Sequence, residues 1–292
     1  MVRPRTLLFA SERVNSVKPY HDSMFECVPF NDEIISLKTA TAQDDEPIMW
    51  SYAYQIGDVL IDAGCANAAH DLEGYLSDHE IKRVLVTHPH EDHCGGLSVL
   101  PDETVVYAHP SAVDQLLNPP ELDDFFKFVW GQPKPIREVQ PVPDQVSVGD
   151  YVLKVVDLSG HYSNMIGFLE REQGWLFSAD AVPLPSKKYI AMPEEDISQM
   201  ISTMERIQSM DLEVLFDGHR GPILTPEAHV QKRIDYLKTA QARAKALKEE
   251  GKSVGEIIAE MGYEGPWYLE ATKGRFSIEF FIESLLRSDS GE

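Results

Sequence analysis

An α/β fold is what this chain predicts, and three observations carry that prediction. Short apolar, β-prone runs stand between charged ends and break at glycine, the clearest being Asp58-Val59-Leu60-Ile61-Asp62 ahead of Gly64. A strand, a helical segment and another strand follow one another between Lys82 and Tyr107. The chain has 292 residues, 43% of them hydrophobic, enough for a large buried core in one domain or two at about 150 residues per domain.

Taken in order, residues 1–30 show no clear period, and the first strand-like stretch is Glu33 to Leu37, followed by a polar loop from Thr41 to Glu46. A strand begins near Trp50, the run at 58–62 is a buried strand, and Ala66 to Leu76 suits a helix. Lys82 to Thr87 reads as a buried strand, a short helical segment starts near Asp92, and Thr104 to Tyr107 is the next strand. From 111 to 148 regularity fails. Pro119, Pro120, Pro133, Pro135, Pro141 and Pro143 surround an aromatic knot of Phe125, Phe126, Phe128 and Trp130, which reads as an inserted helix and loop that could form a lid. These aromatics, with Trp267 and Tyr268, are expected to pack as core, and lining a pocket for an acyl group is the alternative.

Order returns with strands at Tyr151 to Val156, Met165 to Leu169 and Trp175 to Ser178. Ile197, Met200, Ile201, Met204 and Ile207 recur at helical spacing ahead of a strand at Leu212 to Phe216, and this stripe reads as core. From Pro226 the composition turns to Ala, Lys and Glu in a long helix that stops at Gly251, with shorter helices expected at Val254 to Met261 and Ser277 to Leu286.

Charge narrows the function classes. Acidic residues number 48 against 26 basic, a formal net charge of −22, so the long-range field repels phosphate backbones and anionic lipid and disfavours a nucleic-acid partner. The apolar run at the start, Leu7 to Ala10, is too short for a signal-peptide core or a membrane span, which leads to the expectation of a cytoplasmic protein. Three cysteines, Cys27, Cys65 and Cys94, have no close-paired spacing, which fits a reducing compartment and argues against a disulfide framework.

The chemistry lies in His88-Pro89-His90-Glu91-Asp92-His93-Cys94-Gly95-Gly96, which follows directly on a strand. One His-x-His pair is commonplace and reads as surface or core. Three histidines and an aspartate within six residues are hard to explain as core, and imidazole with carboxylate suits zinc, iron or manganese. The two glycines are read as letting the backbone turn beside a bound ion. His21, His70, His79, His109 and His229 have no such company and read as ordinary surface or structural residues.

The string His88-x-His90-x-Asp92-His93 resembles the signature of the metallo-β-lactamase superfamily, in which five motifs occur in fixed order. Asp62 in Leu60-Ile61-Asp62-Ala63-Gly64 matches the first, His161 in Ser159-Gly160-His161 the third, Asp180 in Phe177-Ser178-Ala179-Asp180 the fourth and His219 in Asp217-Gly218-His219 the fifth. Each follows a strand, where a sheet delivers ligands to one rim.

The resemblance implies a four-layer αββα sandwich over residues 1–230. The helical extension 231–292 would belong to the same domain or form a small subdomain of its own, and similar tails in the superfamily sometimes cover the site or support homodimers. It further implies two divalent ions, zinc foremost with manganese or iron as alternatives. His88, His90 and His161 would hold one, and Asp92, His93 and His219 the other. Asp180 would bridge them and Asp62 would orient the ligands.

The implied activity is hydrolysis of an ester, thioester or lactone by a metal-bound hydroxide, with Asp92 and Asp180 as the catalytic carboxylates. Asp180 stands where the true β-lactamases carry a cysteine, which points to the glyoxalase II-like and lactonase-like branch. Two alternatives share the fold: a mononuclear iron enzyme of the persulfide dioxygenase type, and a phosphodiesterase or ribonuclease. Tyr162-Ser163-Asn164-Met165 replaces the Thr/Ser-Pro-Gly turn of many relatives. Tyr162 and Tyr189 are weighed as hydrogen-bond donors to substrate, and Cys94 as a buried small hydrophobe. The substrate is not written in these motifs, because it is chosen by loops and pocket shape.

Overall fold

The computed structural model describes residues 23–184 and 189–287. The apolar run at 7–10 and His21 lie outside the described residues.

The first half of the chain builds one mixed sheet from β1 (Ser23–Pro29), β2 (Ile34–Gln43), β3 (Glu46–Pro47), β4 (Ser51–Ile56), β5 (Val59–Ile61), β6 (Arg83–Leu85), β7 (Val105–Ala108) and β8 (Gln140–Pro141). The order across it is β1-β2-β4-β5-β6-β7-β8, with β3 paired to the far end of β2. The hairpin strands are antiparallel, and β5 to β8 run parallel. The second sheet has β9 (Gln145–Val148), β10 (Tyr151–Asp157), β11 (Ile166–Glu170), β12 (Trp175–Ala179), β13 (Val214–Asp217) and β14 (Gly221–Ile223), in the order β14-β13-β12-β11-β10-β9.

Alternation along the strands assembles the layers. Val59, Ile61 and Leu85 face the second sheet and meet Phe168, Phe177 and Phe216, whose last two rings stack at 4.5 Å. Leu60, Val84 and Val86 face the other way, onto Leu72 and Leu76 of α1 (Ala69–Asp78) and Leu116 of α3 (Val113–Leu117). Beneath the second sheet, Met200 and Met204 of α5 (Ile197–Gln208) share one core with Leu176 and Leu215. Ile234 of α6 (Pro226–Glu249), Ile257 of α7 (Val254–Met261) and Phe281 of α8 (Ile278–Leu286) complete it. The stack is helix, sheet, sheet, helix, the four-layer sandwich expected from the sequence.

Three expectations need correction. Residues 23–29 form β1, an edge strand exposed along most of its length, so no buried alternation marks it in sequence. The polar stretch from Thr41 is not loop until after Gln43, because Thr41 is buried and its hydroxyl donates to the Val129 carbonyl at 2.7 Å. Within 111–148, Val146 and Val148 alternate inward as β9 of the second sheet, and β8 closes the edge of the first. The remaining insert carries α4 (Asp124–Trp130), whose terminal carbonyls are held by Thr41 and by the Asn67 amide, 3.1 Å from the Phe128 oxygen. It is an anchored wall.

Candidate metal centre

The site is built where strands of both sheets end. Asp62 and Ala179 close β5 and β12 with φ of 60° and 45°, a left-handed backbone that non-glycine residues adopt at a cost. The His88–His93 string turns off β6 into a single helical turn, α2 (Glu91–Cys94), and His161 comes from the loop between β10 and β11. Asp180 follows β12 and His219 follows β13, and the parallel pairing of these two strands puts the two side by side.

The glycines of the string serve a purpose other than the expected one. Gly95 has ordinary helical angles, φ −61° and ψ −35°, so no special turn is required of it. A Cβ on it would lie 2.2 Å from the Ala66 nitrogen, and one on Gly96 would lie 2.2 Å from the Ala63 carbonyl. Close packing of the ligand loop on the backbone between β5 and α1 demands glycine here.

All seven expected side chains converge. Ligand atoms of His88, His90 and His161 lie within 4.8 Å of one another, and so do those of Asp92, His93 and His219; His88, His93 and Asp180 form a third group that joins the two. The His219 Nε2 is 3.1 Å from an Asp180 oxygen and 3.4 Å from an Asp92 oxygen. Asp180 Oδ1 is 3.5 Å from His93 Nε2.

Outside this ring, oxygen atoms fix four of the imidazoles. His93 Nδ1–H donates to Asp62 at 2.8 Å, and His161 Nδ1–H to Glu195 at 2.8 Å. His219 Nδ1–H donates to the Trp50 carbonyl at 2.9 Å. The Thr87 hydroxyl donates to Asp62 at 2.8 Å, so it accepts from His88 Nδ1 at 3.1 Å. In each case the outer nitrogen is the donor, which leaves the inner nitrogen as the one that would offer its lone pair to a bound ion. Asp62 thus orients His93 directly and His88 through Thr87. Sequence reasoning missed Thr87, Glu195 and the Trp50 carbonyl. Only Thr87, adjacent to the motif, carried any sequence signal.

This donor set fits a cation. His90 Nδ1 lies 3.0 Å from His88 Nε2 and 2.9 Å from His161 Nε2, so one proton at most can be shared where three lone pairs meet. His93 Nε2 and Asp180 Oδ1 are buried with no hydrogen-bond partner among the described residues. Buried polar atoms left unpaired are costly, and a bound ion would relieve this.

Charge in the cluster is divided. Burial, reinforced by His93, His90 and His161, drives His88 well below its ordinary pKa, and burial lowers His161 despite Glu195. Burial also opposes charge on His93 and His219, yet Asp92, Asp62 and Asp180 hold His93 well above the usual value and Asp180 pushes His219 up to about 9. Asp180, raised by burial, is brought well below the carboxylate range by His219 and His93.

Five of the seven, His90, Asp92, His161, Asp180 and His219, form the floor of a cavity of about 550 Å³. Phe125, Phe126, Phe128, Trp130, Trp267 and Tyr268 line it, so the aromatic knot expected as core is also cavity wall. Tyr162 stands edge-on to His90 and donates to Gln115 at 2.9 Å, and Tyr189 stacks on Tyr263 at 4.2 Å; neither lines the cavity. Cys94 is buried with its thiol against the Pro89 carbonyl, and burial raises its pKa, as suits a small hydrophobe.

Similarity to known proteins agrees with this geometry. The chain is 22% identical over 221 residues to the beta-lactamase-like protein 2 homolog of Caenorhabditis elegans, covering 72% of this chain and 68% of the relative. It is 23% identical over 206 residues to the atrochrysone carboxyl ACP thioesterase of Aspergillus fumigatus, covering 68% of this chain but only 59% of that protein. Among solved structures, a metallo-beta-lactamase from Pontibacter korlensis superposes with a TM-score of 0.56 at 16% identity, over 73% of this chain and 99% of its own. A metallo-beta-lactamase family protein from Thermus thermophilus gives 0.56 at 18%, over 90% and 91%. The sequence profile of the metallo-beta-lactamase superfamily matches residues 54–219, more than half of the chain and the whole span from β4 to His219. This protein is therefore a member of the metallo-β-lactamase superfamily and an enzyme of its hydrolytic kind.

Proposed function

We propose that this protein hydrolyses an ester, thioester or lactone with two divalent ions, zinc foremost. His88, His90 and His161 would hold one, Asp92, His93 and His219 the other, with Asp180 between them. The observation that supports this most is the convergence of seven donors, five of them on the floor of a cavity whose walls are otherwise largely apolar. Bound ions supply water that ionises near neutral pH and polarise the substrate carbonyl.

The chain's own residues do the rest. Asp62, Thr87, Glu195 and the Trp50 carbonyl keep four rings in the tautomer that aims a lone pair inward. Asp92, a carboxylate at the floor, takes up the proton released by attacking water and returns it to the departing oxygen or sulfur, while Asp180 stays ionised between the two ligand groups. The aromatic wall excludes water on the acyl side. The Aspergillus fumigatus relative is a thioesterase by name, which favours the thioester arm. The net charge of −22 weighs against a nucleic-acid substrate, and three free cysteines suit a cytoplasmic protein.

Elemental analysis of protein purified without chelator, beside an Asp180→Ala variant, tests the reading together with a panel of esters, thioesters and lactones. We expect about two zinc per chain, reduced in the variant, and hydrolysis abolished with the metal. One iron per chain with oxygen uptake on a persulfide substrate would move the assignment to the dioxygenase type.

A further inference from the structure

The aromatic residues of the insert and the C-terminal segment converge on the cavity from separate parts of the chain. Trp130 at the end of α4 lies 6.1 Å from the His219 ring, so the apolar wall begins at the ligand ring itself. Phe125 and Tyr268 stack nearly parallel, 12° apart with centroids at 6.2 Å, so one aromatic pair in the wall is drawn from the insert and the C-terminal segment. Trp267 stands perpendicular to Tyr268 at the mouth and is 62% exposed. Its exposed indole leaves an aromatic face open at the rim of the cavity. At about 550 Å³ the cavity falls within the range of about 300–1,000 Å³ that encloses a drug-sized molecule, far beyond an acetyl group.

Charge in the wall is already answered. Arg275 is the one lysine or arginine among the described lining residues; its guanidinium lies over the Phe126 ring at 4.3 Å and donates to Glu91 at 2.9 Å. Glu195 is engaged by His161, and the mouth carries Asp44 and Glu46. An acyl group bearing a carboxylate would meet repulsion there and no unpaired described cation. Flat rings, in contrast, gain stacking beyond the burial of their area.

We infer that the acyl portion of the substrate is bulky and aromatic, and that it lies against Phe125, Tyr268 and Trp267 with its carbonyl at the His/Asp floor. The inference rests on the hydrolase reading. In the reaction the oxygen of water bonds to the acyl carbon and the bond from that carbon to the leaving oxygen or sulfur breaks. One proton of the water departs with the alcohol or thiol.

The test is a series of p-nitrophenyl esters sharing one leaving group, with acetyl, hexanoyl, benzoyl and 2-naphthoyl arms, assayed on the zinc-loaded enzyme. Each kcat/KM is divided by that ester's rate with hydroxide alone, which removes intrinsic reactivity. We expect the normalised value for 2-naphthoyl to exceed that for acetyl at least tenfold and that for hexanoyl clearly. Trp267→Ala and Phe125→Ala, both at partly exposed positions, should pull the naphthoyl-to-acetyl ratio towards one. Hydrolysis of all four with a flat ratio, or a ratio unmoved in both variants, overturns the acyl assignment and leaves the hydrolase reading standing. Should no ester be cleaved, isothermal titration calorimetry with 2-naphthamide against hexanamide decides separately. Tighter naphthamide binding that is lost in Trp267→Ala supports the surface, and equal binding overturns it.

Discussion

At the scale of single residues, the proposed ligands matter less in isolation than the oxygens that hold them. Glu195 is buried and takes the outer proton of His161 at 2.8 Å, so Glu195→Gln should weaken zinc affinity about 10–100-fold. Competition with a chromogenic chelator measures this, and wild-type affinity in the variant would remove Glu195 from the site. His219 yields a pH signature in metal-free protein. Asp180 raises its pKa to about 9, above the value of about 6.5 in the unfolded chain. Its contribution, of order 3 kcal/mol, is fully present below about pH 6.5 and is lost as pH rises through about 9. The stability gap between metal-free wild type and metal-free His219→Asn should therefore shrink from pH 6 to pH 9.5 in urea melts. A gap constant across that range would contradict the pairing.

Elements position those residues through a few buried tethers. Thr41 on β2 binds the Val129 carbonyl and accepts from Asn67, so one hydroxyl ties the first sheet, the turn before α1 and the end of α4 together. Thr41→Val keeps the shape but leaves a buried carbonyl and amide short of a partner. We expect a loss of about 1–3 kcal/mol in chemical denaturation with zinc content little changed. Loss of zinc with unaltered stability would show that α4 positions the ligands and does not merely line the cavity. The strands themselves were legible wherever burial imposed a pattern, as at Val59–Ile61 and Trp175–Ala179. Edge strand β1 was not, because its side chains mostly face water and obey no alternation.

For the whole molecule, the C-terminal helices are the main question. α6 starts at Pro226 and runs past residue 230, and Ile234, Leu237, Phe281 and Leu285 are buried in the same core as Leu176 and Leu215 of the second sheet. We propose that residues 231–292 belong to the same folding unit as the sandwich. A chain ending at residue 225 should then be insoluble or molten, and a soluble, zinc-binding fragment would argue for separate domains. Arg275 carries the link to the site itself through Glu91, which lies between His90 and Asp92 in the string. Arg275→Met should cost about 3 kcal/mol or somewhat less, given its partial exposure, because it strands a buried carboxylate beside the ligands. Adding Glu91→Gln should restore much of that loss in thermal melts. Additive losses in the double variant would mean the pair is not coupled.

The sequence by itself determined the α/β class, most strand and helix positions, and the order of the donors at strand ends. These depend on local pattern, hydrophobic period and motif spacing, which a linear string records. The tertiary structure decided what surrounds them. Glu195 meets His161 across 34 positions and the Trp50 carbonyl meets His219 across 169, and no local rule links residues so far apart. The aromatic knot at 125–130 and Trp267-Tyr268 are ordinary core candidates when read singly. Only the chain's return at residues 267–276, just ahead of α8, brings them to one cavity with the ligand ring, because a wall is a property of packed surfaces from distant segments.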